Sequence, residues 1–139
     1  MIGAPAEPVA EPKVPMKNTF LSLALLALLG SPVLQAKDGD IIRRGQCANG
    51  IKTKLKASPE NGQIEVEYEL DNAAPGELWQ VILRKNGKVI LRTNQRTNGV
   101  GDLEVRKVTP NASGTDRIEA VARRSGGGAT CTLSLSAGF

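Results

Sequence analysis

The sequence predicts an all-β protein, an antiparallel sandwich of about seven strands, and three observations carry that expectation. Apolar and polar residues alternate with period two through most of the chain after Lys37, the pattern of strands with one buried face. Turn residues interrupt the alternation every eight to twelve positions, the spacing of short strands in a sandwich or barrel. No segment after Lys37 carries an apolar stripe at helical spacing over a useful length.

Gln63–Leu70 is the clearest strand, with Ile64, Val66, Tyr68 and Leu70 facing one way and Glu65, Glu67 and Glu69 the other. Ile51–Ala57 alternates likewise, with Lys52, Lys54 and Lys56 on its polar side. Between them lies Asn61-Gly62, the favoured pair for a two-residue type I′ hairpin turn. If Glu60 and Gln63 flank that turn, paired positions sum to 123, which sets Lys56 against Glu67, Lys54 against Glu69 and Lys52 against Asp71. Each exposed pair is worth only about 0.2 to 1 kcal/mol. The ladder is therefore expected to fix register on a solvated face. A catalytic acid and base near neutral pH would need partly buried carboxyls of shifted pKa.

A second hairpin follows, Leu78–Lys85 and Lys88–Thr93 around Asn86-Gly87. Trp79, Val81 and Leu83 are expected on its core face; in the register that sums to 173, Ile82, Val89 and Leu91 fall on the other. That apolar patch has two readings: cover by a loop or by strand twist, or a partner surface that also takes in Arg92 and Arg96. Asn94–Gly101 reads as a flexible loop, for want of periodicity and for its two glycines. Asp102–Val108, Arg117–Arg124 and Thr130–Ser136 complete seven strands, and a short one near Arg43–Cys47 would make eight.

The start of the chain reads differently. Met16-Lys17-Asn18-Thr19, the apolar run Phe20–Leu29, the breakers Gly30 and Pro32 and the small Ala36 have the order of a secretory signal peptide. The run is ten residues long, about half of what spans a bilayer, so cleavage is expected rather than stable membrane insertion. Residues 1–15 hold the repeated Ala6-Glu7-Pro8 and Ala10-Glu11-Pro12 and are too polar and proline-rich to order themselves. They read as a disordered leader or as an over-extended start before Met16. The expected organisation is thus 1–15 leader, 16–36 signal peptide and 37–139 β-sandwich domain, secreted or held in the periplasm or cell envelope.

In such a compartment Cys47 and Cys131, the two cysteines of the chain, are expected to form a disulfide. It would tie the first strand to the last. The composition argues against several functions. The chain has no histidine, so Ser-His-Asp and Cys-His catalysis are excluded, and two cysteines alone make a poor metal site. Gly126-Gly127-Gly128 lacks the Lys-Ser/Thr that grips phosphate. The net charge of +4 is ordinary for solubility, and Tyr68, Trp79 and Phe139 are too few for a base-stacking platform. No nucleic acid, cofactor or metal is expected. Asn111-Ala112-Ser113 matches a glycosylation acceptor, which matters only in a glycosylating pathway. Arg43, Arg44, Lys85, Lys88, Arg92, Arg96, Arg123 and Arg124 read by default as solvated surface, with an acidic polymer as the alternative ligand.

Seven or so short strands in about a hundred exported residues resemble the immunoglobulin and fibronectin type III sandwiches. More narrowly, Lys54-Leu55-Lys56-Ala57-Ser58-Pro59, Gly62–Glu69, Trp79, Asn86-Gly87 and Cys131 are similar to small exported bacterial proteins, mainly actinobacterial, of no assigned activity. The spacing from Cys47 to Trp79 departs from the antibody pattern, being too long for neighbouring strands. The resemblance implies a fold and an address, and no catalytic residues. The expectation is a non-enzymatic binding or structural module at the cell surface, meeting a protein or an acidic envelope polymer; the alternative is a small secreted protease inhibitor.

Overall fold

The computed structural model describes residues 39–139, so the leader and signal-peptide expectations lie outside the described residues. Eight strands follow one another: β1 (Ile41–Cys47), β2 (Ile51–Glu60), β3 (Gln63–Asp71), β4 (Leu78–Lys85), β5 (Lys88–Arg96), β6 (Leu103–Pro110), β7 (Asp116–Arg124) and β8 (Thr130–Ala137). They make two antiparallel four-stranded sheets, ordered β1-β2-β3-β6 and β5-β4-β7-β8. The architecture is a β-sandwich compatible with an immunoglobulin-like fold. The eighth strand is β1, which lines the edge of the first sheet beside β2.

The first hairpin has the register that its turn dictates. Glu60 pairs with Gln63, and Lys56, Lys54 and Lys52 lie opposite Glu67, Glu69 and Asp71. Asn61 and Gly62 take φ of 50° and 79°, the left-handed values a type I′ turn needs at both central positions. In the second hairpin the 173 register covers only the pairs beside the turn, Lys85 with Lys88 and Arg84 with Val89. A bulge then shifts the pairing, setting Leu83 opposite Leu91 and Ile82 opposite Arg92. The extra residue is Ile90. Its insertion corrects the expected face of Leu91, which now packs against the core on the same side as Leu83.

Alternating residues of both sheets fill the core. Tyr68 and Trp79 are fully buried, and the large Val81 and Leu83 of β4 lie opposite the small Ala122 and Ala120 of β7. Large beside small on neighbouring strands of one sheet lets its inner face pack closely. Tyr68 brings a hydroxyl that has no hydrogen-bond partner among the described residues, and burial raises its pKa.

The edges of the first sheet are blunted by charge. Arg43 of β1 pairs with Leu55, and Lys107 of β6 with Val66, so each edge carries a cation at a position of core-facing parity. Charges placed so discourage pairing with another chain. Where β1 meets the other sheet the edge is closed covalently, by a disulfide from Cys47 to Cys131 with 5.5 Å between the α-carbons. Here β1 and β8 lie close enough that a Cβ on Gly45 would stand 2.8 Å from Leu133 Cδ2.

The bridge spans a sequence separation of 84, a loop whose closure stabilises by about 4 kcal/mol on the chain-entropy account. Cys47→Ala with Cys131→Ala is expected to lower the unfolding free energy by about that amount, measured by denaturant titration. A loss below about 1 kcal/mol would mean that packing alone holds β1 against β8.

Candidate functional site

Three connections meet at one end of the sandwich: residues 72–77 between β3 and β4, 97–102 between β5 and β6, and 125–129 between β7 and β8. Their organiser is Glu77, just before β4. Its Oε1 accepts from Trp79 Nε1 at 3.2 Å and from the Ala74 amide at 3.4 Å. Its Oε2 accepts from Arg124 Nη1 at 3.2 Å, and Arg124 Nε donates to the Gly127 carbonyl at 3.1 Å. One carboxylate thus connects the core indole to two loops.

Thr97, buried at 4% exposure, ties in the third. Its hydroxyl accepts from the Glu77 amide at 2.8 Å and donates to the Ala74 carbonyl at 2.6 Å. Beyond it Asn98 folds the loop on itself, its Oδ1 accepting from the amides of Val100 at 2.9 Å and Asp102 at 3.0 Å. The backbone amide of Asn98 donates to the Asp102 carbonyl, and that of Ala73 to the Gly101 carbonyl. Asp102 Oδ1 accepts from the Asn72 amide at 3.2 Å.

This network corrects the expectation of a flexible loop over Asn94–Gly101. β5 runs on to Arg96, and the rest is a hydrogen-bonded turn. Gly101 serves the close approach to Ala73: its φ is +88°, and a Cβ there would lie 1.8 Å from the Ala73 carbonyl oxygen. At the tip Val100 is 71% exposed. The clamped end therefore holds out an apolar side chain on a fixed backbone.

Of the residues expected at a partner surface, Ile82, Val89 and Arg92 share the outer face of the second sheet and Leu91 leaves it. Val89 and Arg92 are exposed on the outer face of the second sheet, Ile82 is buried there beside Val121, and Leu91 has turned inward. Arg96 reaches the loop end, where Nη1 donates to the Gly76 carbonyl at 2.9 Å. Glu77, Thr97 and Asn98 went unrecognised in the sequence. The available signal was Asn98 followed by Gly99, Gly101 and Asp102, a composition that favours Asx turns.

On the outer face of the first sheet the lysine and glutamate ladder is denser than a solvated face. Glu67 is only 2% exposed, with Arg106 Nη2 at 2.7 Å and Lys56 Nζ at 3.3 Å; Lys54 lies 2.8 Å from Glu69. The carboxylates of Glu67, Glu69 and Glu104 come within 4.8 Å of one another, yet these cations, with Arg106 Nε 3.2 Å from Glu104, already neutralise them. Beside them Glu69, Asp71, Asn98, Asp102, Leu103 and Glu104 line a groove of about 230 Å³. Carboxylates thus converge at one place, but Glu69 and Glu104 face cations and Asp102 caps Asn72. Asp71 has its carboxyl raised above the usual range by burial and then by Asp102 and Glu69, only partly offset by Lys54 and Lys52.

No family model matches the chain, and no curated protein matches it. The sandwich and its disulfide are compatible with an exported module. No helix among the described residues is long and apolar enough to cross a membrane.

Two outcomes are expected at this end. Gly101→Ala should destabilise the fold by more than about 1 kcal/mol, because alanine is strained at positive φ and collides with Ala73, and should speed hydrogen exchange at the Ala73 amide. For Asp71, a carboxyl whose folded pKa exceeds its unfolded value opposes folding once ionised, and the penalty fades as pH falls through the folded pKa. Asp71→Asn is therefore expected to raise the denaturation midpoint at neutral pH. The gain should vanish below the unfolded carboxylate pKa of about 3.9.

Proposed function

We propose that this domain is a non-enzymatic binding module that works outside the cytoplasm, secreted or at the cell surface, and meets a protein partner through its clamped loop end. The observation that carries this reading is Val100, 71% exposed on a turn held by Asn98 and Asp102. A fixed loop loses little conformational entropy on binding, so its apolar tip adds affinity at small ordering cost. The disulfide and the paired carboxylates support an exported, non-catalytic role, in line with the resemblance to small exported bacterial proteins.

The same rigidity favours one second reading, a small secreted protease inhibitor, since an inhibitory loop must keep its shape in a cleft. One pair of measurements separates the two. Purified protein and its Val100→Asp variant are used to capture partners from the producing cell's envelope and medium, and both are assayed against a panel of proteases. The binding-module reading expects a protein retained by the parent, lost with Val100→Asp, and no protease inhibited. Inhibition abolished by the same substitution would establish the inhibitor instead. Identical retention by parent and variant would remove the loop end from the function.

A further inference from the structure

The two outer faces of the sandwich differ in charge, and the difference comes from strand register. On the first sheet, cross-strand rows bring Lys56, Glu67 and Arg106 together, then Arg44, Lys54, Glu69 and Glu104. Cations and carboxylates there share the same rows and neutralise one another. The second sheet presents Arg92 of β5, Arg84 of β4 and both Arg117 and Arg123 of β7, with Glu119 as the acidic residue among their cross-strand neighbours. Thr130, Thr132, Ser134 and Ser136 of β8 continue this face.

Two of these four guanidiniums have only a distant partner, and the other two have none among the described residues. Arg84 stands 3.9 Å from Glu119, a loose pair, and Arg117 Nη2 lies 3.5 Å from Ser134 Oγ. Arg92 and Arg123 are exposed and have no ion-pair partner among the described residues. With the first sheet neutralised, the second carries most of the positive excess of the domain. Its cations are all arginine, whose planar fork suits the tetrahedral oxygens of phosphate. Arg84 stands about 8 Å from both Arg92 and Arg117 at ordinary sheet spacings, and the set as a whole extends much further. Arg92 and Arg123 sit two strands and one cross-strand row from each other, about 12 Å at ordinary sheet spacings, and Arg117 and Arg123 are about 20 Å apart along β7. No single small anion reaches across such a span, whereas a chain with phosphates at regular intervals does. The absence of exposed aromatic rings on this face gives bases nothing to stack on.

We propose that the outer face of β5-β4-β7-β8 is a docking surface for a linear phosphate polymer without bases, bound by Arg84, Arg92, Arg117 and Arg123. This surface is separate from the loop end, so it stands whether or not Val100 meets a partner. Recognition is by spaced guanidiniums on a rigid sheet. The hydroxyls of β8 add hydrogen bonds to phosphate oxygens.

Long-chain inorganic polyphosphate is the probe, with poly-γ-glutamate as a carboxylate polymer of like charge. Binding to the whole protein is followed by fluorescence anisotropy over a salt series. Log affinity is expected to fall with log salt at a slope near 3, as about four contacts imply, and polyphosphate should bind more tightly than polyglutamate. Arg92→Glu with Arg123→Glu should weaken binding at least about tenfold. Arg44→Glu with Lys52→Glu changes net charge equally on the other face and should leave affinity within about twofold. Arg92→Gln with Arg123→Gln provides a gentler pair should the double reversal not fold, with the same direction expected. Val100→Asp should have no effect, which separates this surface from the loop end. Equal weakening by the pairs on both faces, tighter binding of polyglutamate, or no binding of polyphosphate at low salt would each overturn the proposal.

Discussion

The structure turns on the need of one buried indole for an acceptor. Trp79 is the largest residue in the core and is fully buried, and a buried N–H without a partner costs about 1 to 3 kcal/mol. Glu77, two residues earlier on the same strand approach, supplies the partner at 3.2 Å. A carboxylate brought that close to the core must itself be stabilised, and Arg124 provides the counter-charge. Arg124 also reaches into the β7–β8 loop, and the backbone of Glu77 is held by Thr97 from the β5–β6 loop. Satisfying the core therefore organises the end of the molecule that faces outward. Packing and presentation share one set of hydrogen bonds.

What was legible in the sequence was what local chemistry decides. The first hairpin could be read to the residue because Asn61-Gly62 admits one tight turn, and a two-residue turn leaves no freedom in the pairing that follows. The bridge between Cys47 and Cys131 was legible because no other thiol competes. Past Arg84 the second hairpin departs from the register its turn implies, because a bulge depends on how β5 twists against β4 and alternation carries no count of inserted residues. Val89-Ile90-Leu91 did break the alternation, and three apolar residues in succession on an edge strand are the trace such a bulge leaves. Glu67 reads as solvated from its β2 neighbours alone, whereas Arg106, arriving from β6 after a long connection, pairs with it. Pairing between strands distant in sequence is what periodicity cannot supply.

The charge segregation has the same origin. β3 joins β2 through a tight turn and β6 through a crossover to the other sheet and back, so its glutamates meet the lysines of β2 on one side and Glu67 meets Arg106 of β6 on the other. β7 is flanked by β4 and β8, one with few charges on its outer side and the other with hydroxyls, so its arginines find no equivalent partners. Composition alone gives a net charge of +4, which looks unremarkable when averaged over the surface. Topology concentrates it. A charge that is modest for the whole becomes local and directional once one sheet has neutralised itself.

Glycine in the exposed connections carries the last step. Gly99 and Gly101 suggest mobility when counted, yet Gly101 is buried and packed against Ala73, where any side chain would collide. Its function there is close approach of two backbones and a positive φ, not freedom of motion. Asn98 closes on the amides of Val100 and Asp102 across Gly99, so the turn is fixed by its own side chain as well as by its neighbours. A loop fixed in this way has already lost the conformational freedom that association would otherwise remove. Rigidity at the loop end and a guanidinium face with few counter-charges on the second sheet are then two consequences of one architecture: a small sandwich, covalently closed at one edge, in which strand register decides which charges are paired and which are presented outward.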